Sequence, residues 1–317
     1  MMSTPITTLL NVPGKVPILR AEATAGPAQW VAEHRGALRA LVAKHGSLLV
    51  RGLGLHDVSE AELVFRRFGN LVSEREAFAP RYRYAEGVYA ATKWPANQPM
   101  CMHHELSYAL QPPSLMLFAC LVAPSAGGET PLADSPTVLR ALPAELVERF
   151  ERVGWLLIRN YNGEIGASIA EAFGTDGRSA VERYCDEHSI QFEWQPDGVL
   201  RTRQHCSAVA LHPASGQRCW FNQIAFLNEW TMDSELREYL VDVYGEDGLP
   251  FNTRFGDGDP IGPDVVQVIS EAYEKHTVRE RWQSGDLLLV DNVRTAHARQ
   301  AFEGPREIVV AMADGRA

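Results

Sequence analysis

The chain has 317 residues, of which 45% are hydrophobic and 22% are charged, as is typical of a globular protein with a large buried core. Its formal net charge of −10 argues against a nucleic-acid partner, because phosphate binding needs a basic surface. The longest apolar runs, such as Leu115–Val122, are far shorter than the roughly 20 residues that cross a bilayer. Residues 1–20 lack the basic start and apolar core of a secretory signal. We therefore expect a cytoplasmic protein without a membrane partner, whose five cysteines are reduced thiols.

Several segments have the hydrophobic spacing of amphipathic helices. Pro27–His45 is the longest of them, and Gly46 marks its end. The segment 59–68 begins at Ser59 and carries Glu62 three positions later, which predicts a capping box. Further helices are predicted at 135–150 with a break at Pro143, and at 181–188, 233–244 and 263–275.

Short apolar runs bounded by turn residues predict the strands. These runs cover residues 47–52, 114–122, 155–161, 285–292 and 307–312. Two hairpins are predicted, one over 192–204 with its turn at Pro196-Asp197-Gly198 and one over 209–221. Many short strands with helices around them indicate a mainly β sandwich or barrel with flanking helices, and we expect one domain over residues 1–317.

The segment His103-His104-Glu105 combines two imidazoles with a carboxylate. In an extended chain, side chains two positions apart point the same way, so His103 and Glu105 would share one face and His104 would point to the other. One imidazole and one carboxylate make half of a non-haem iron site, which a second histidine completes. A single histidine is more often a hydrogen-bonded structural residue, so the segment alone predicts a metal site only weakly.

His297 is the candidate for the third ligand, because an apolar strand on each side would fix it against the same core as His103. Arg306 follows at the start of the last predicted strand, where its guanidinium can bind a carboxylate with two hydrogen bonds. Thr130 offers a hydroxyl beside that carboxylate, although a threonine after Gly127-Gly128 is also a common turn residue. The set of residues suggests an iron ion and a small dicarboxylate.

At this point the sequence resembles the Fe(II)/2-oxoglutarate-dependent oxygenases of the taurine dioxygenase (TauD/TfdA-like) family, in the branch similar to the syringomycin-biosynthesis hydroxylase. The resemblance covers nearly the whole chain, and several motifs occur in the order found in the family. These motifs are His103-His104-Glu105-Leu106-Ser107-Tyr108, Gly127-Gly128-Glu129-Thr130-Pro131, Leu200-Arg201-Thr202-Arg203-Gln204, Trp220-Phe221-Asn222-Gln223, Gly256-Asp257-Gly258-Asp259-Pro260-Ile261, and Asp291-Asn292 through His297 to Gly304-Pro305-Arg306.

The resemblance implies a double-stranded β-helix (jelly-roll) core, Fe(II) held by His103, Glu105 and His297, and 2-oxoglutarate held by Thr130 and Arg306, with O2 as the second co-substrate. It further implies oxidation, by default hydroxylation, of an unactivated C–H bond in an amino acid or amino-acid-derived metabolite of secondary metabolism. The substrate would be free or attached to a carrier protein, and a homo-oligomer is possible.

Three residues are candidates for contacts with that substrate. Arg203 and Arg294 could bind a carboxylate or phosphate, but surface ion pairs explain most arginines. Asn222 is either a substrate contact or a satisfied buried amide. Three other functions stay open: the same cofactor chemistry with desaturation or ring formation as its outcome, a redox-neutral cupin-like metal protein, and a binding module with a vestigial site.

Overall fold

The computed structural model describes residues 9–76, 79, 81–196 and 198–313. Residue 197 of the predicted hairpin turn and residues 1–8 of the segment searched for a secretory signal lie outside these ranges. Within the described residues, none of the helices combines the length and the hydrophobicity needed to span a membrane. All five cysteines are free thiols, as predicted.

The helices lie close to their predicted positions, apart from one at Ile169–Phe173 that the sequence did not predict. They are α1 (Pro27–His45), α2 (Val58–Phe65), α3 (Ser135–Ala141), α4 (Ala144–Val153), α5 (Ile169–Phe173), α6 (Arg178–Glu187), α7 (Ser234–Tyr244) and α8 (Pro263–Lys275). The capping box predicted at Ser59 is wrong, because the N-cap of α2 is Asp57, whose carboxylate accepts a hydrogen bond from the Glu60 amide at 2.8 Å. An aspartate two positions earlier supplies the same acceptor with a full charge.

The strands in the first half of the chain are β1 (Leu9–Leu10), β2 (Ile18–Arg20), β3 (Ser47–Arg51), β4 (Arg83–Ala85), β5 (Val88–Ala90), β6 (Met100–His103), β7 (Leu115–Val122), β8 (Ala126–Gly127), β9 (Leu132–Asp134) and β10 (Trp155–Tyr161). The remaining strands are β11 (Gln191–Trp194), β12 (Leu200–Cys206), β13 (Val209–Leu211), β14 (Arg218–Trp220), β15 (Phe251–Phe255), β16 (Thr277–Val278), β17 (Leu287–Asp291), β18 (Thr295–Arg299), β19 (Phe302–Glu303) and β20 (Glu307–Ala313).

Two sheets form the jelly-roll core, as predicted. The larger has eight strands in the order β1-β2-β3-β17-β7-β20-β5-β4, and the smaller has four in the order β16-β9-β18-β6. One buried cluster joins them, with Phe118 and Val310 from the large sheet and Leu132 and Ala296 from the small one. A third sheet, β11-β12-β10-β15, reaches the same cluster through Leu157.

The central strands of the large sheet are apolar on both faces because both faces are covered. On β17, Leu288 and Val290 point into the jelly-roll interior, whereas Leu287 and Leu289 pack in a second cluster with Val64 of α2. This alternation explains why the sequence runs 114–122 and 285–292 have no polar face.

Candidate metal and 2-oxoglutarate site

The small sheet brings the two predicted histidine ligands together. Strands β6 and β18 are antiparallel neighbours, and His103 on β6 pairs directly with His297 on β18. Their ring centroids lie 4.4 Å apart. The His103 ring stacks on Phe226 at 4.3 Å, and Phe118 meets the His297 ring edge-on at 5.3 Å. A cross-strand register therefore joins two parts of the chain that are distant in sequence.

Glu105 lies just after the end of β6, in a turn that two features hold in place. The next residue, Leu106, has a positive φ of 49°, an uncommon conformation for a side chain of this size. Asn292 accepts a hydrogen bond from the Glu105 amide at 2.8 Å and donates to the Glu105 carbonyl at 2.9 Å and to the Pro113 carbonyl at 2.8 Å. The extended conformation considered for 103–105 thus ends at His103, and the Asn292 amide fixes the turn that follows.

His103, Glu105 and His297 offer three ligand atoms that all lie within 4.8 Å of one another, and all three residues are buried. The Nε2 atoms of His103 and His297 lie 3.9 Å and 3.6 Å from Oε2 of Glu105. Nδ1 of His103 lies 2.9 Å from the Cys101 carbonyl, which can only accept, so Nδ1 carries the proton and Nε2 presents its lone pair.

The electrostatics of the cluster suit a divalent cation. Burial is the main cause that lowers the pKa of His103, and the neighbouring His297 lowers it further, to about 3. The His103 ring is therefore neutral. Burial alone would raise the pKa of Glu105, but Arg81 and the two imidazoles lower it below its ordinary value. Two imidazoles and one charged carboxylate are the donor set of a 2-His-1-carboxylate iron site, so the residues present fit Fe(II).

His104 points away from the cluster, as strand alternation predicts. It is fully buried, and its Nδ1 and Nε2 are hydrogen-bonded to the Asn292 carbonyl and, at 2.8 Å, to the Ser135 hydroxyl. Both nitrogens therefore have partners in the protein, and His104 has a structural role.

A cavity of about 50 Å³ adjoins the cluster, and Thr130 and Arg306 line it together with the three predicted ligands. Nε of Arg306 donates to the Gly128 carbonyl at 3.1 Å, and no described carboxylate pairs with this guanidinium. Burial and the charge of Arg299 lower the pKa of Arg306 to about 10. A Cβ on Gly128 would lie 3.1 Å from Cδ of Arg306, so the glycine lets the backbone approach this side chain closely. A buried guanidinium without an acidic partner fits the carboxylate of 2-oxoglutarate.

Arg81 is a site residue that the sequence reading missed. Its Nη2 donates to both oxygens of Glu105, at 3.0 Å and 3.1 Å, and its Nε donates to the Thr92 hydroxyl at 2.9 Å. Glu74 lies 3.5 Å from Arg81 on another side. No motif surrounds Arg81 or Glu74, and an isolated arginine in a sequence gives no sign of the carboxylate that it will contact.

The structure places the three predicted substrate contacts away from this cavity. Arg203 is partly exposed and lies 3.6 Å from Glu193 at the surface. Asn222 is a satisfied buried amide that donates to the Ala208 carbonyl at 3.0 Å and accepts from the Ile224 amide at 3.2 Å.

Arg294 holds the C-terminal end of α1 through the carbonyls of Ala43 and Lys44, at 3.0 Å and 2.9 Å, and pairs with Asp134 at 3.2 Å. Arg203, Asn222 and Arg294 thus contact other groups of the protein and do not line the cavity, so the structure favours structural roles for them over the predicted substrate contacts.

Comparisons with known proteins agree with the fold and the cluster. The model of the taurine catabolism dioxygenase TauD, TfdA family matches residues 15–312. The dapdiamide synthesis protein DdaC of Enterobacter agglomerans is 34% identical over 86% of this chain and 84% of its own length. A clavaminate synthase-like protein of Arabidopsis thaliana is 26% identical over 90% and 86% of the two chains. The crystal structure of PvcB from Pseudomonas aeruginosa superimposes with a TM-score of 0.54 at 17% identity, over 95% of this chain and 86% of that one.

The protein is thus a non-haem iron oxygenase with a jelly-roll core, which depends on Fe(II), 2-oxoglutarate and O2. The chain belongs to the TauD/TfdA family of dioxygenases.

Proposed function

We propose that this protein oxidises an unactivated C–H bond, by default through hydroxylation, in an amino acid or amino-acid-derived small molecule of a biosynthetic pathway. The observation that carries the proposal is the convergence of His103, Glu105 and His297 beside the unpaired guanidinium of Arg306. A biosynthetic role is supported by the DdaC relative, which is named for dapdiamide synthesis. The substrate is either free or attached to a carrier protein, and the single domain over residues 1–317 stays a prediction.

In this proposal each residue has a defined task. His103 and His297 bind the metal through Nε2, and Glu105 binds it through Oε2, the oxygen nearest both rings. Arg306 and Thr130 orient 2-oxoglutarate by binding its distal carboxylate. With Fe(II), 2-oxoglutarate and O2 bound, the site would supply the chemistry that oxidises a C–H bond while 2-oxoglutarate is converted to succinate and CO2. Phe118 and Phe226 pack against the imidazoles and keep water from the metal on that side.

The experiment compares His103→Ala, Glu105→Ala and His297→Ala with His104→Ala as the matched control. The first three variants should lose most bound iron and all 2-oxoglutarate turnover, because each removes one of only three protein ligands. His104→Ala should keep its iron, although the loss of two buried hydrogen bonds should lower its stability by about 1–3 kcal/mol.

Elemental analysis gives the iron stoichiometry, and succinate formation gives turnover. Loss of iron from the His104 variant together with its retention in the His103 variant would reverse the assignment of the two histidines. Iron binding without any consumption of 2-oxoglutarate by the wild-type protein would contradict the oxygenase proposal.

A further inference from the structure

A second buried arginine lies outside the cofactor cavity. Arg159 on β10 is 3% exposed. Its Nη1 donates to the backbone carbonyl of Glu76 at 2.6 Å and lies 3.4 Å from the Tyr161 hydroxyl. Its Nε and Nη2 are buried and have no hydrogen-bond partner in the described part of the chain, and no described carboxylate lies within ion-pair distance.

The nearest acidic side chain is already engaged elsewhere. The two carboxylate oxygens of Glu76 accept hydrogen bonds from the Tyr184 hydroxyl at 2.9 Å and from Nε2 of Gln204 at 2.7 Å. Arg159 therefore contacts the backbone of Glu76 and not its charge. Two orphaned donors on a buried cation are costly to fold, which makes Nε and Nη2 candidates for contacts with a ligand that the protein itself does not supply.

The surroundings of Arg159 resemble a polar subsite more than a core. Thr202 is the cross-strand neighbour of Arg159 in the third sheet, and Gln204 follows on the same buried face of β12. The Tyr108 ring lies over the guanidinium, 4.2 Å from its central carbon. Buried hydroxyl, amide and aromatic groups with one cation are the usual components of a recognition pocket for a small anion.

Tyr108 also connects this subsite to the proposed metal. It follows Glu105 by three residues, and its hydroxyl donates to the same Glu76 carbonyl that Arg159 contacts, at 2.6 Å. Its ring thus contacts the unpaired guanidinium, and its backbone follows the turn that holds the predicted carboxylate ligand.

We propose that Arg159 is the anchor for a free carboxylate of the substrate, with Nε and Nη2 forming the two hydrogen bonds. These two nitrogens form one edge of the planar guanidinium, and an edge of this kind matches the two oxygens of a carboxylate. The substrate class is then an amino acid or related acid that spans from Arg159 to the iron, past Tyr108. This inference rests on the proposed oxygenase function and adds the charge of the substrate to it.

The test uses a panel of the twenty L-amino acids and the corresponding L-amino-acid amides, which lack the carboxylate charge. Succinate formation is measured with Fe(II), 2-oxoglutarate and each compound for the wild type, Arg159→Met, Arg159→Lys and Arg203→Met. Arg203 is the matched control, because it lies on the adjacent strand β12 but is partly exposed and paired with Glu193. At least one acid should stimulate the wild type and the Arg203 variant, and its amide should not.

For the stimulating acid, Arg159→Met should raise the KM at least 100-fold, and Arg159→Lys should raise it less. The KM for 2-oxoglutarate should not change in either variant, since Arg306 holds that carboxylate. Equal stimulation by acid and amide, or an unchanged KM in Arg159→Met, would overturn the inference. So would the absence of stimulation by every acid in a wild type that binds iron and slowly consumes 2-oxoglutarate. A wild-type protein that neither binds iron nor consumes 2-oxoglutarate would contradict the oxygenase function itself.

Thermal unfolding separates a binding role from a structural one. Arg159→Met removes a desolvated charge, but it also removes the hydrogen bond to the Glu76 carbonyl and the contact with the Tyr108 ring, so the melting temperature should change little. The stimulating acid should raise the melting temperature of the wild type and not that of the Arg159→Met variant. If Arg159→Met has a lower melting temperature than the wild type and the acid still raises it, the guanidinium only supports the fold.

Discussion

Arg306 and Arg159 illustrate at the residue scale how an unpaired buried cation suggests a candidate ligand site. Both guanidinium groups are enclosed by protein, and neither forms an ion pair with a described carboxylate. Arg51, by contrast, is buried against Asp286 at 3.1 Å and against Glu280 at 3.1 Å, and is therefore satisfied within the fold. The difference makes Arg306 and Arg159 candidates for binding ligands, whereas Arg51 joins parts of the fold.

Replacing Arg306 by alanine should raise the KM for 2-oxoglutarate roughly 30- to 1,000-fold, equivalent to about 2–4 kcal/mol, because a buried carboxylate loses its partner. Iron content should stay nearly unchanged, since Arg306 does not touch the predicted ligands. Steady-state kinetics with Arg203→Ala as the control measure the effect. An unaltered KM in the Arg306 variant would assign the carboxylate to Arg299 instead.

Arg81 affects the same site through Glu105. Replacing it by methionine leaves the carboxylates of Glu105 and Glu74 buried without their shared partner, and should destabilise the metal-free protein by about 3–5 kcal/mol. A divalent cation neutralises Glu105 directly, so saturating Mn(II) should raise the melting temperature of Arg81→Met more than that of the wild type. Thr92→Val, which removes only the contact to Nε, is the control and should cost about 1 kcal/mol. An equal gain from Mn(II) in all three proteins would show that Arg81 and the metal are not coupled.

At the scale of elements, the connection between α1 and the strand pair β17–β18 depends on Arg294. This side chain bridges two C-terminal carbonyls of α1 and the Asp134 carboxylate at the N-cap of α3. A cation at a helix C-terminus also interacts favourably with the helix dipole. One residue therefore fixes two helices relative to the end of the large sheet.

Arg294→Ala should lower the free energy of unfolding by about 1–2 kcal/mol and leave the kinetic constants for 2-oxoglutarate and substrate unchanged. Urea denaturation and steady-state kinetics on the same preparation provide the two measurements. A raised KM for substrate without loss of stability would restore the substrate-binding role that the sequence suggested.

The sequence predicted elements well where one physical signal dominates. Both α1 and α8 have the predicted boundaries, because proline at the start and periodic apolar residues define each of them. Strand β18 was missed, since its alternating Ala296 and Ala298 lack the β-branched character of a strand and become buried only through partners far along the chain.

The same contrast holds at the site. His103, Glu105, His297, Thr130 and Arg306 line one cavity as expected, because each lies in a motif with a fixed place in the sequence. Arg81, Glu74 and Arg159 gave no local signal, since their roles arise only from residues brought near them by folding.

For the whole molecule, the buried charges predict how stability depends on pH. Burial, opposed by Arg81 and reinforced by Glu105, raises the pKa of Glu74 to about 7. The folded protein then binds a proton at Glu74 that the unfolded chain releases near pH 4.5. The contribution of this proton to the free energy of unfolding is up to about 3 kcal/mol. It is complete below about pH 4.5 and is lost as the pH rises to about 7.

Glu74→Gln should remove this loss of stability. The free energy of unfolding of the variant should therefore rise relative to that of the wild type between about pH 4.5 and pH 7. Urea denaturation of the metal-free proteins across this range gives the profile. Taking the difference between variant and wild type cancels the contributions of the buried His103 and His104. Their lowered pKa values make the free energy of unfolding rise with pH instead of falling. Parallel profiles for the two proteins would show that Glu74 is charged throughout.

The order of strands in the sheets has a consequence for how the protein emerges from the ribosome. β17 lies between β3 and β7, β20 lies between β7 and β5, and β18 lies between β9 and β6. These three inner strands are synthesised after all of their neighbours, so both sheets keep open edges while more than half of the chain is already in the cell. Neither sheet can close, and the predicted ligands His103 and His297 cannot meet, until β18 has left the exit tunnel. Edge-to-edge aggregation of the nascent chain is thus a hazard of this topology until the last strands are in place.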